Sequence, residues 1–111
     1  MTGREDEPDA ANIRLCLDSY AAILDGYLAH TADWLCDAEK AALALSCRVM
    51  TFECGLRFLT DYLDGDRYFK TAYPGHNLIR CRTQFALLEQ MEAEADNMQS
   101  MARRALTGAR P

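Results

Sequence analysis

Glu53, Arg57 and Asp61 recur at four-residue steps, placing two carboxylates around one guanidinium at helical spacing. Residues four apart on a helix are neighbours, so each carboxylate can hold the guanidinium from a different end. An arginine oriented in this way presents a planar fork of donors to sugar hydroxyls, carbonyls or phosphate oxygens. The same row on a solvated helix face is an ordinary ion-pair ladder, worth roughly 0.3–0.5 kcal/mol per pair. Tyr62, Tyr68 and Phe69 stand close by, across an Asp64-Gly65-Asp66 turn. Aromatic rings beside a donor fork suit a carbohydrate pocket, and they suit a plain hydrophobic core equally well. The residue types alone leave both readings open.

Other chemistry is sparse. Asp64 and Asp66 offer two carboxylates for magnesium, yet an acidic turn that stops a helix accounts for them more simply. The sequence contains neither a G-x-x-x-x-G-K-[ST] phosphate loop nor a G-x-S-x-G nucleophile turn. His30 is followed by Thr31-Ala32 and His76 by Asn77-Leu78, so neither opens the H-x-D-x-x-x-x-N loop of a kinase. Cys16, Cys36, Cys47, Cys54 and Cys81 are odd in number and contain no C-x-x-C spacing, which argues for reduced thiols rather than a disulfide framework or zinc. From these residues we expect no catalytic group, no metal and no cofactor held by this chain itself.

The elements that would position the row are helical. Tyr20, Ile23, Leu24, Tyr27 and Leu28 follow a helical period, with Asp18 as the expected N-cap and Gly26 a weak point. Ile13, Leu15 and Leu17 alternate, as in a short extended segment, although the same run could open a helix. Asp37 is the expected N-cap of a long helix over 38–63, bent near Ser46, whose apolar positions Leu45, Val49, Phe52, Leu56, Leu59 and Leu63 recur at steps of three and four. Gly65 can take the left-handed conformation that ends it. Tyr73-Pro74-Gly75 makes a loop, and a last helix is expected over 77–104. The fold class is therefore all-α, with three to four helices: a flexible segment 1–11, a helical unit 12–105 and a flexible tail 106–111.

Size and charge exclude several classes of function. A chain of 12.5 kDa holds one modest core. Its net charge of −5 supplies no basic field for nucleic acid or an anionic membrane surface. No apolar run reaches the roughly 20 residues of a membrane span, and MTGREDEPD is too acidic for a signal peptide, so the expected location is cytoplasmic.

Four runs carry a resemblance: MTFECGLRFLTDYL at 50–63, GD-x-YF at 65–69, PGHNL at 74–78 and RCRTQF at 80–85. Together they resemble the C-terminal end of N-acetylhexosamine 1-kinases, members of the aminoglycoside-phosphotransferase-like kinases also described as mucin-desulfation or sulfatase-regulating proteins. The likeness spans about residues 12–100. It implies that the helical unit is the C-terminal subdomain of a kinase-like fold that transfers the γ-phosphate of ATP, with magnesium, to the anomeric hydroxyl of N-acetylglucosamine or N-acetylgalactosamine. It also implies that Arg57 contacts the sugar or the transferred phosphate and that Tyr68 lines the same pocket, with Asp61 and Tyr62 as weaker candidates and Glu53 orienting Arg57. The nucleotide lobe, the catalytic aspartate loop and the magnesium aspartate of that family have no counterpart in these 111 residues.

Three readings follow. The chain is a substrate-pocket fragment, inactive alone, whose missing lobe leaves an apolar face prone to self-association. Alternatively it is a small helical protein-binding or regulatory module, or it is a kinase half that acts in trans with a separate catalytic lobe.

Overall fold

The computed structural model describes residues 4–107. A single turn of 3-10 helix over Ala10–Asn12 precedes α1 (Leu17–Thr31), α2 (Asp37–Ala41), α3 (Leu43–Leu63), α4 (His76–Ala93) and α5 (Ala95–Thr107), and no strand forms among the described residues. The all-α expectation holds, with five helices in place of three or four.

Both additional helices come from breaks inside runs that read as continuous. Ala42 leaves helical geometry at φ −95°, ψ 2°, and divides the expected helix over 38–63 into α2 and α3. Glu94 does the same at φ −102°, ψ 14°, between α4 and α5. Neither break has a Gly or Pro to announce it, since each follows from where the flanking segments must pack. The caps also shift. Cys16, rather than Asp18, is the N-cap of α1, leaving Asp18 in the first turn, where its charge suits the positive helix end. Cys36, rather than Asp37, caps α2, and its backbone N–H donates to Glu39 Oε1 at 2.9 Å. The end of α3 follows the expected chemistry: Gly65 sits at φ +92°, with Gly65 N–H donating to the Tyr62 carbonyl and Asp66 N–H to that of Asp61. That pair of bonds is the Schellman closure, and it caps the carbonyls that the last turn leaves unpaired.

The apolar core gathers Tyr20, Leu24 and Leu28 of α1, Ala44 of α3, Leu87 and Met91 of α4, and Met98 and Ala102 of α5 around Ile13. Ile13 lies in the extended stretch before α1, where Gln90 grips the backbone from both sides: its Nε2 donates to the Ile13 carbonyl at 2.7 Å and its Oε1 accepts from Leu15 N–H at 2.6 Å. Tyr20 donates its hydroxyl to the Met98 carbonyl at 3.0 Å. Burial, with a smaller contribution from Cys47, pushes that phenol up to about 12, so it stays a donor throughout the physiological range.

The N-terminal stretch expected to be frayed is tied to α4 from Glu5 onward. Thr83 Oγ1 donates to the Glu5 carbonyl at 2.6 Å, Arg80 pairs with the Glu5 carboxylate at 3.1 Å, and His76 Nε2 lies 3.4 Å from Asp6. At the other end α5 continues helical to Thr107, and the rest of the expected tail lies outside the described residues.

The result is elongated, 47 × 27 × 20 Å, with a radius of gyration of 15.9 Å against about 13 Å for a compact domain of this size. The core fills the half built by α1 and α5. Beyond it, α3 and α4 project as a pair that carries the candidate site. Gly55 lets those two helices approach, because a Cβ there would lie only 2.7 Å from Phe85 Cδ1. Gly26, exposed on α1, meets nothing within 4 Å. The two glycines should therefore respond oppositely to alanine. In urea denaturation, Gly26→Ala should gain about 0.5–1 kcal/mol from helix propensity. Gly55→Ala should lose about 1 kcal/mol net, overpacking against Phe85 outweighing the same gain. A Gly55→Ala chain as stable as the parent would show that α3 and α4 are not in close contact there.

Candidate functional site

The site is built from the C-terminal half of α3, the connection over 64–75 and the first turn of α4. Its organising group is Asp61. The periodicity of α3 turns this carboxylate inward, where it is 5 % exposed. Oδ1 accepts from Tyr68 N–H at 2.7 Å, while Oδ2 accepts from Phe69 N–H at 3.0 Å and from Asn77 Nδ2 at 2.7 Å. Burial by itself would raise this carboxyl. The N–H groups of Tyr68 and Phe69 and the Asn77 amide outweigh it and hold Asp61 below the usual carboxylate range.

Asn77, fully buried, extends the network. Its Nδ2 also reaches Asp66 Oδ1 at 3.0 Å, and its Oδ1 accepts from Arg80 Nη1 at 3.1 Å. The same Arg80 Nη1 donates to the Lys70 carbonyl at 3.1 Å. Asp66 adopts φ +60°, an uncommon conformation for a residue other than glycine that short Asp side chains tolerate. His76 Nδ1 accepts from Ala72 N–H at 3.1 Å, which places the ring hydrogen on the Nε2 that faces Asp6. The connection is therefore hydrogen-bonded along most of its length.

Held in this way, the connection presents two rings toward α3. Phe69 packs on Phe58 at 4.8 Å between centroids, and Tyr68 meets Phe69 edge-on at 4.9 Å. The Arg57 guanidinium lies over both, 5.7 Å from the Tyr68 centroid and 5.9 Å from that of Phe69, within range of a cation–π contact. A pocket of about 460 Å³ opens there, lined by Glu53, Leu56, Arg57, Thr60, Asp61, Asp64, Tyr68 and Phe69.

The structure thus brings Glu53, Arg57, Asp61 and Tyr68 to one pocket. The contacts differ from the expected row. Among the described residues Arg57 forms no ion pair with Glu53 or Asp61. Asp61 cannot hold the guanidinium because its oxygens are committed to the connection, and Arg57 rests on aromatic faces instead. Tyr62, one residue and about 100° further round the helix, does not line the pocket. Asn77, which bonds Asp61, and Arg80, which bonds Asn77, are the supporting positions that residue spacing misses, because both lie on a separate helix.

The wall mixes donors (Arg57, Thr60), acceptors (Glu53, Asp64, Thr60) and apolar surface (Leu56, Tyr68, Phe69), a combination that can hold a small ligand carrying both polar and apolar faces. No group of three His, Cys, Asp or Glu that could hold a metal is present among the described residues, and Asp66 of the acidic turn is already engaged by Asn77. All five cysteines are free. No helix among the described residues is long and apolar enough to cross a membrane. Compared with models of known protein families, the chain matches none.

The Asp61 network carries a pH prediction. A carboxyl whose folded value is depressed adds stability above its unfolded value, near 4, and loses that stability as pH falls through the lower folded value. Asp61→Asn removes this contribution and turns an amide donor toward backbone donors. It should lower Tm at pH 7, and the gap to the parent chain should narrow as pH drops below about 4. Parallel melting curves for both chains at pH 7 and pH 3 check this; a gap that stays constant with pH would mean that Asp61 contributes by shape alone.

Proposed function

We propose that this chain forms the sugar-side wall of an ATP-dependent N-acetylhexosamine 1-kinase, the C-terminal helical subdomain of a protein-kinase-like fold, and that alone it binds hexosamine without phosphorylating it. The observation that carries the reading is the pocket. Arg57 and Tyr68, the residues implicated by the resemblance of the RFLTDY and GD-x-YF runs, line one cavity together, and its volume lies within the range of small-molecule sites.

The chemistry of the wall supports a neutral sugar in preference to an anion. Three carboxylates, Glu53, Asp61 and Asp64, line the pocket against one guanidinium, that of Arg57. A pyranose would lay its apolar C–H face on Tyr68 and Phe69. Arg57 would donate to a ring hydroxyl or to the N-acetyl carbonyl, and Glu53 or Asp64 would accept from hydroxyls at the opposite edge. The floor would stay in place during binding, because Asp61 and Asn77 fix the backbone behind both rings.

ATP and magnesium belong to the intact family, and the described residues of this chain do not suit them. They offer no cluster of metal ligands, and the carboxylates nearest the pocket include two already bound to amide donors. The role of this chain would therefore be confined to holding and orienting the sugar. Phosphoryl transfer depends on positioning and charge stabilisation by groups that another lobe would contribute. Supply of that lobe in trans is the variant of this reading in which activity returns on mixing.

Titration of the isotope-labelled chain with N-acetylglucosamine and N-acetylgalactosamine, read by amide NMR, tests the proposal. Shifts should concentrate at Arg57, Thr60, Tyr68 and Phe69, with weak affinity. Arg57→Ala should weaken binding about tenfold or more, through loss of a charged hydrogen bond and the ring contact. Tyr68→Ala should weaken it by a similar factor. With ATP the chain alone should produce no sugar phosphate. Absence of localised shifts with either sugar, in a folded chain, would sink the reading.

A further inference from the structure

We propose that the acidic N-terminal segment is a releasable strap, and that its docking on α4 sets how firmly the connection over 64–75, and with it the pocket floor, is held. Two side chains of α4 each reach both segments. Arg80 lies with Nε 3.1 Å from Glu5 Oε1, while its Nη1 donates to the Lys70 carbonyl and to Asn77 Oδ1, both at 3.1 Å. His76 turns Nε2 toward Asp6 Oδ2 at 3.4 Å, and its Nδ1 accepts from Ala72 N–H at 3.1 Å. Neither Glu5 nor Asp6 lines the pocket, so these two side chains carry the effect of the strap to it.

The segment is built to come away as a piece. None of residues 4–12 is buried, and its attachment to α4 rests on the two contacts above and on the Thr83 hydroxyl, which donates to the Glu5 carbonyl at 2.6 Å. A segment that buries no apolar side chain opens at a lower free energy than the core. Within it, Asp9 caps the 3-10 turn and Glu7 Oε1 accepts from Asp9 N–H and Asn12 Nδ2, so the residues stay joined to one another. The opening has a fixed end. Ile13 is fully buried and gripped by Gln90 on both sides, and it stays in place when the residues before it leave.

Release acts on both links. Asp6 accepts the ring hydrogen on His76 Nε2 and thereby selects the tautomer whose Nδ1 can accept from Ala72. Without Asp6 that choice is no longer enforced, and the other tautomer sets a second N–H against that of Ala72. Arg80 loses the carboxylate beside its Nε and holds Lys70 and Asn77 less tightly, and Asn77 in turn supports Asp61. The first effect is largest at Ala72, and the second reaches Tyr68 and Phe69 through Asp61. The coupling is reciprocal, so whatever fixes the connection favours the docked strap. It is independent of the hexosamine reading, because both links are present whichever ligand the pocket takes.

Amide hydrogen exchange of the full chain, read by NMR, is the test, with backbone relaxation of residues 4–9 to report whether the strap is docked. In the double variant E5Q/D6N those residues should become mobile. Exchange should accelerate about fivefold or more at Ala72, and by less at Tyr68 and Phe69. Leu24 and Leu28, in the core, should keep their rates. The control E89Q/E92Q removes the same charge from exposed positions on α4 and should change none of these. A strap that stays docked without its two carboxylates overturns the proposal, as does a released strap that leaves Ala72 at the parent rate. A uniform acceleration that includes Leu24 and Leu28 also overturns it, since the segment would then stabilise the whole fold and not the connection. So does an equal acceleration in E89Q/E92Q. No sugar enters the experiment, so this proposal and the hexosamine reading can fail separately.

Discussion

A carboxylate withdrawn from water must find donors inside the fold, and Asp61 finds three: two backbone N–H groups of the connection and the Asn77 amide. These three bonds tie the end of α3, the connection and the start of α4 into one unit. Most residues over 64–75 are exposed, so these bonds, more than burial, hold the connection against α3. With them, Phe69 is held on Phe58, Tyr68 is set against Phe69, and Arg57 has two rings to rest on. The pocket is a consequence of the Asp61 network. It is rigid below, where buried polar groups are satisfied, and open above.

The elongation of the molecule has a related origin. Core residues from α1 and α5 pack on the first half of α3 and the last half of α4, and leave the other halves as a two-helix arm. Such an arm cannot bury much apolar surface, so its stability depends on specific contacts: the close approach at Gly55, the Arg80 guanidinium over Phe58 at 5.6 Å, and the acidic N-terminal stretch bound by Arg80, Thr83 and His76. On the outer side of α3, Phe52 stacks on Phe85 of α4 at 6.0 Å, while Val49 and Leu63 remain exposed.

The sequence made the helices legible where periodicity and turn chemistry agreed. The α3 stop at Gly65 was readable because a left-handed residue there satisfies two carbonyls at once, and α1 was readable from Tyr20, Leu24 and Leu28. The breaks at Ala42 and Glu94 were not, since both lie in runs of good helix formers and are imposed by packing between distant segments. Spacing placed Glu53, Arg57 and Asp61 on one side of the helix with Tyr68 near by across the turn, and only the resemblance implied that Arg57 and Tyr68 share a pocket; none of this gave their contacts. An i, i+4 pattern says that Asp61 can reach Arg57, but not that three donors from the connection will reach Asp61 first. Asn77 left no local signal of its role, because a buried amide that bridges two aspartates is visible only once α4 is packed. The N-terminal tie was hidden for the same reason: Glu5 and Asp6 read as solvated acids until His76 and Arg80 are placed beside them.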